Sequence, residues 1–151
     1  MLIYNYQILT KKKLKLKKVL LARACQAVVR LLKIRKKLTV TLLVVDNQKI
    51  KELNKIYRHK NKVTDVLSFS ATEGQKVRGK AEEGGGYLGE IFICYEQMLK
   101  QAKKYGHGPD EELTLLFVHG LLHLLGYDDQ TDTANLKMMR VQNKILKIIY
   151  A

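Results

Sequence analysis

The stretch HGLLHLLGYDDQ, residues 119–130, sets two histidines four positions apart in an almost wholly apolar run, then meets a glycine and two aspartates. Its reading decides the fold. Upstream, Pro109 followed by Asp110, Glu111 and Glu112 is helix-opening chemistry, because proline presets φ and acids favour the positive end of the helix dipole. Leu113, Leu115, Leu116, Phe117, Val118, Leu121, Leu122, Leu124 and Leu125 then make a helix from Asp110 to Leu125 apolar nearly all round. Such a helix belongs at the centre of a fold, where an unpartnered imidazole costs on the order of 1–3 kcal/mol. Spacing of i and i+4 puts His119 and His123 on one face, a turn apart, so both rings can reach one ion. Gly126 lets the chain turn back and brings Tyr127, Asp128 and Asp129 toward that face. Read as H-x-x-x-H-x-x-G-x-x-D, the stretch predicts a metal site with His119, His123 and Asp129 as ligands. The bland alternative, a pair of satisfied core histidines, leaves the matching glycine and acid unexplained.

The ligand spacing equals that of the metzincin proteases, H-E-x-x-H-x-x-G-x-x-H, with two departures. Gly120 stands where those proteases keep their general base, which argues against peptidase chemistry. Asp129 stands at the third ligand, and a carboxylate oxygen is an accepted zinc ligand. Two histidines, one carboxylate and an open position form a known catalytic set that also suits iron, manganese or nickel.

Around this helix the remaining periodicities predict one α+β domain spanning 1–151. Its sheet has about four strands, mixed in direction and flanked by helices, with the metzincin-like histidine helix beneath a cleft. Alternation in IYNYQIL (3–9) and β-branched content in LTVTLLVVD (38–46), VLSFSA (66–71) and GYLGEIFICYE (86–96) mark the strands. Helical spacing marks Lys13–Ile34, a basic amphipathic helix expected to pack its apolar stripe on the core, and also 48–58, a short helix from Tyr95 to Tyr105, and Asp132–Ile149. The run TEGQKVRGKAEEGGG (72–86) has charges and glycines without an apolar period, and is expected to be an exposed, mobile loop.

Charge narrows the partner class. The chain of 151 residues carries 28 Lys and Arg against 14 Asp and Glu, a formal +14, and an excess of that size attracts polyanions, with nucleic acid first among them. Cys25 and Cys94 lie far apart and form no C-x-x-C pair, so a reduced, cytoplasmic setting is expected. Arg23 and Arg30 interrupt the apolar patches of 19–32, which reads as neither a signal peptide nor a membrane span.

Three motifs in order, LNKIYRHKNKVTDVLSF (53–69), YLGEIFI (87–93) and HGLLHLLGYDD (119–129), resemble the signatures of the bacterial YbeY endoribonucleases, ribosomal RNA maturation factors. The resemblance spans nearly the whole chain. It implies a metal-dependent hydrolase fold, with the family's metal-binding histidines falling on His119 and His123, its third ligand on Asp129 and its functionally important arginine on Arg58. Departures are Asp129 where the family has histidine, Glu90 where aspartate is usual, and Arg140 where glutamate is frequent.

The residues and the resemblance together give a single-strand-specific endoribonuclease. His119, His123 and Asp129 hold a divalent metal, zinc first, and Arg58, His119 and His123 serve catalysis. The planar Arg58 guanidinium is expected to fork two hydrogen bonds onto phosphate oxygens, while lysines along the cleft are expected to bind the RNA backbone. Thr64 and Asp65 are expected to fix the entry of the following strand, Ser68 is not a nucleophile, and His59 and His107 are expected at the surface, with His59 beside Arg58 and within reach of substrate as its alternative. Asp128 is a partner orienting a ligand histidine, a proton acceptor, or a turn residue. The resemblance further implies a role in small-subunit ribosomal RNA processing and ribosome quality control, with contacts to small ribosomal subunit components or an assembly GTPase, and with no membrane partner. The alternatives are a non-catalytic RNA-binding assembly factor and a metzincin-like metalloprotease.

Overall fold

In the computed structural model, which describes residues 1–71 and 86–151, four strands form one mixed sheet. They are β1 (Leu2–Ile8), β2 (Leu38–Val45), β3 (Val66–Ser70) and β4 (Tyr87–Cys94). Their spatial order is β1-β2-β4-β3, with β1 and β4 parallel to β2, and β3 antiparallel to β4. Five helices are described: α1 (Lys18–Leu31), α2 (Asn47–Arg58), α3 (Tyr95–Tyr105), α4 (Pro109–Leu124) and α5 (Asp132–Ile149). The α+β expectation and the four strands agree with this architecture. Apart from Gly86, the loop expected over 72–86 lies outside the described residues.

Alternation decides which face each strand buries. Val40, Leu42 and Val44 of β2 and Ile91 and Ile93 of β4 meet Leu113, Phe117, Val118, Leu121 and Leu122 of α4 in the main core, together with Leu21, Ala24 and Val28 of α1 and Met138, Ile145 and Ile149 of α5. A smaller cluster on the other face packs Val45, Leu67 and Cys94 against Ile50 and Leu53 of α2. The helix read as apolar all round is therefore the central one. Both cysteines are buried, and burial pushes the Cys25 thiol up to about 12, leaving it protonated and inert.

Helix α1 is shorter than its apolar period predicts, beginning at Lys18 rather than near Lys13. Its amino end has no side-chain cap, and Lys11, Lys12, Lys13, Lys15, Lys17 and Lys18 put like charge against the positive end of the helix dipole. Extending the helix there is disfavoured. Its carboxyl end is closed by Lys33 in the left-handed region at φ 54°.

His107 corrects the reading of it as a surface residue. A ring nitrogen lies 3.0 Å from Oε2 of Glu112, which is only 1% exposed. A buried carboxylate needs such a partner.

Candidate metal centre

A helix and a glycine turn deliver three side chains to one point. Helix α4 presents His119 and His123 from successive turns, and Gly126, at φ +101°, reverses the chain so that Asp129 faces them. The His119 and His123 Nε2 atoms are 3.1 Å apart, and Oδ2 of Asp129 lies 3.8 Å and 3.5 Å from them. The side chains keep 22%, 29% and 38% of their surface exposed, so the point is open to solvent.

The other nitrogen of each ring fixes the tautomer. His119 Nδ1–H donates to Oε1 of Gln142 at 2.8 Å, and His123 Nδ1–H donates to the Tyr127 carbonyl at 3.1 Å. Both partners accept only, so a neutral ring keeps its bare lone pair on Nε2. Two such lone pairs and a carboxylate oxygen facing one another repel until positive charge sits between them. Donors on a four-coordinate cation at ~2.0–2.1 Å stand roughly 3.3–3.4 Å apart, close to the separations here. The donor set fits a divalent cation, and these three residues form a group able to hold one.

Gln142 was not visible as a site residue in the sequence, although it is a polar interruption of the α5 stripe that includes Met138 and Ile145. It is 3% exposed, and α5 carries it against α4. Gln142→Leu keeps the volume and removes the acceptor, and is expected to weaken metal binding about 10–100-fold while far-ultraviolet circular dichroism stays unchanged. Competition with a chromogenic chelator measures it.

The three donors lie in a cleft of about 640 Å³ whose walls include Arg58, Asp65, Ser68 and Asp128. Arg58 ends α2, stacks its guanidinium 4.8 Å over the Phe69 ring and donates to the Ser68 carbonyl at 2.8 Å. The loop after α2 is folded back by Asn54, which is buried and donates from Nδ2 to the Lys62 carbonyl at 3.0 Å. Asp65 then sets the start of β3, accepting from Val66 N–H at 2.7 Å and from Gln101 Nε2 at 3.0 Å. That is the strand-entry role expected of it. Ser68 Oγ is turned to the Gly120 carbonyl at 3.3 Å. Asp128 accepts from Gln130 N–H at 3.0 Å, a turn contact. His59 is exposed and takes the left-handed cap position after α2, at φ 59°.

Among the described residues lining the cleft, Arg58 is the only Lys or Arg, and Lys76, Arg78 and Lys80 of the expected loop lie outside the described residues.

Gly120 acquires a reason. A Cβ on it would stand 2.7 Å from Ile91 Cγ2 and 3.0 Å from Ser68 Oγ, because this side of α4 lies directly on β3 and β4. The position taken by the general base in the protease pattern faces the sheet here and has no room for a side chain.

Comparison with known proteins agrees with these motifs. The family described as Endoribonuclease YbeY matches residues 5–150. The chain is 46% identical over 121 residues to an Endoribonuclease YbeY of Spiroplasma citri, covering 80% of this chain and 77% of that one. It is 37% identical over 122 residues to that of Syntrophomonas wolfei, covering 80% and 78%. Among solved structures, the solution structure of TM1509 from Thermotoga maritima superposes with a TM-score of 0.58 at 26% identity, covering 97% of this chain and 89% of that one. Motif order, fold and relatives all converge, and the chain belongs to the YbeY endoribonuclease family.

Proposed function

We propose that residues 1–151 act as one metal-dependent hydrolase domain that cleaves phosphodiester bonds of single-stranded RNA, in maturation of small-subunit ribosomal RNA and in ribosome quality control. The observation that carries this reading is the convergence of His119, His123 and Asp129 at the floor of an open cleft with the Arg58 guanidinium in its wall. The names of the relatives support RNA as the substrate. A divalent cation held by His119, His123 and Asp129, zinc in this proposal, would supply Lewis acidity toward a phosphoryl oxygen and would lower the pKa of water toward ~7.

The protein's own groups do the rest. His119 and His123 present Nε2 because Gln142 and the Tyr127 carbonyl hold Nδ1–H. Asp129 completes the set from the turn and lowers its net charge. Arg58, stacked on Phe69 and tied to β3, is oriented before substrate arrives, and its positive charge stabilises the charge that grows on the phosphoryl oxygens in the transition state. A peptidase reading is disfavoured by the closed side of Gly120. Cytoplasmic work with components of the small ribosomal subunit, or with an assembly GTPase, belongs to the same proposal. No helix among the described residues is long and apolar enough to cross a membrane.

Arg58→Ala is expected to lower kcat on a single-stranded RNA oligonucleotide by about 10²–10³-fold while KM rises less than about fivefold, the mark of an interaction made mainly in the transition state. Equal losses in both would make Arg58 a ground-state phosphate anchor. Elemental analysis of protein purified without chelator or histidine tag identifies the ion, and a metal other than zinc would correct that part of the proposal.

A further inference from the structure

The cleft holds one Lys or Arg among its described lining residues, yet the chain carries a formal +14. The excess is concentrated elsewhere. Residues 11–37 contain twelve Lys and Arg and no Asp or Glu, which leaves 16 cations against 14 acids for the rest of the chain. All twelve are exposed. Among the described residues only Lys17 pairs with an acid, Asp110 at 3.6 Å, and its side chain is still 64% exposed.

This segment lies away from the metal centre. Lys17 meets the first turn of α4, and His123 stands thirteen residues further along that helix, ~20 Å away at 1.5 Å per residue. The segment supports α1 and joins β1 to β2, at the opposite side of the sheet from β3 and Arg58. Its apolar stripe is already consumed, since Leu21, Ala24, Cys25, Ala27 and Val28 are buried in the core. What α1 offers outward is mostly charge, with Val19 as its one exposed large apolar side chain, too little to enter a lipid surface.

The chemistry of the patch also selects the form of the polyanion. Residues 11–37 contain no aromatic side chain, and the nearby Tyr6 ring is covered by the Lys18 ammonium at 5.3 Å. Single-stranded RNA is gripped by stacking its bases on exposed aromatic rings, whereas a duplex hides its bases and offers phosphates and 2′-hydroxyls. A field of lysines and arginines without rings matches the second. We infer that residues 11–37 form a second RNA-binding surface, which takes the phosphate backbone of double-helical RNA while the cleft takes an unpaired strand. The protein would then recognise a junction between paired and unpaired RNA.

The test is Lys11→Gln, Lys12→Gln, Lys13→Gln and Lys15→Gln combined in the full chain, all exposed and outside the cleft. Binding is followed by fluorescence anisotropy on a fully paired RNA of about 16 base pairs. The wild type binds with steep salt dependence. The variant loses at least about tenfold in affinity near ~100 mM salt, and its slope of log K against log salt shrinks by ~3. Cleavage of a short unpaired oligonucleotide changes less than about twofold, because that substrate reaches only the cleft. Unchanged duplex affinity and slope would overturn the inference, as would an equal loss of oligonucleotide cleavage, or a loss confined to binding of phosphatidylglycerol vesicles. The anisotropy readout needs no turnover, so this surface stands or falls separately from the proposed hydrolysis.

Discussion

His123→Ala is expected to abolish RNA cleavage, lowering the rate by at least about 10²-fold and reducing bound metal from about one ion per chain toward none. The size follows from the site's construction. Three donors is the minimum for a catalytic centre that keeps an open position, and two of them ride on α4. Removing one leaves His119 and a carboxylate on an exposed turn, too few to retain a divalent ion against dilution. His123 is 29% exposed and contributes little to the core, so thermal stability should change by less than about 1 kcal/mol. Metal content by mass spectrometry, cleavage of a single-stranded oligonucleotide and anisotropy of RNA binding separate the outcomes. Full cleavage by metal-free variant protein would end the reading of His119, His123 and Asp129 as the catalytic metal centre.

Gly120→Glu is the second large effect, and it falls on the fold. The substitution restores the letters of the protease pattern, yet its first carbon would meet Ile91 at 2.7 Å and Ser68 at 3.0 Å. Relief requires α4 to lift from β3 and β4 at the middle of the main core. A carboxylate buried there without a partner adds a desolvation cost. Together these are expected to destabilise by at least about 3–5 kcal/mol, a fall in Tm of roughly 10–15 °C for a chain of this size, with no gain of peptidase activity. Thermal unfolding by circular dichroism and a casein assay check both halves. A stable Gly120→Glu protein that digests casein would show the closed side of the helix to be open.

Much of this was legible because periodicity and spacing are local. The apolar run of α4 and the alternation of β2 and β4 fixed what they would bury, and the offset from His123 to Asp129 needed only a helix and one glycine turn. Arg58 could be placed at a helix end by period, but its position over Phe69 and at β3 depends on how α2 crosses the sheet, which no local pattern encodes. Gln142 supports His119 from a helix 23 residues away in sequence, and pairing them requires the packing of α5 on α4. The reason for Gly120 likewise lies in a neighbour, Ile91. Charge was only partly legible for a similar cause: composition gives the total but not the face, and twelve of the 28 Lys and Arg sit along residues 11–37.

The bond from Arg58 to Ser68 has a consequence for solubility. Among the described residues β3 is the terminal strand of the sheet, and the pairing of Asp65 and Ala71 with β4 turns the Val66 and Ser68 main-chain groups away from β4. An outward row of that kind is a template on which another chain can grow a strand. By occupying the Ser68 carbonyl with a charged, bulky group, Arg58 covers that part of the edge and disfavours strand addition there.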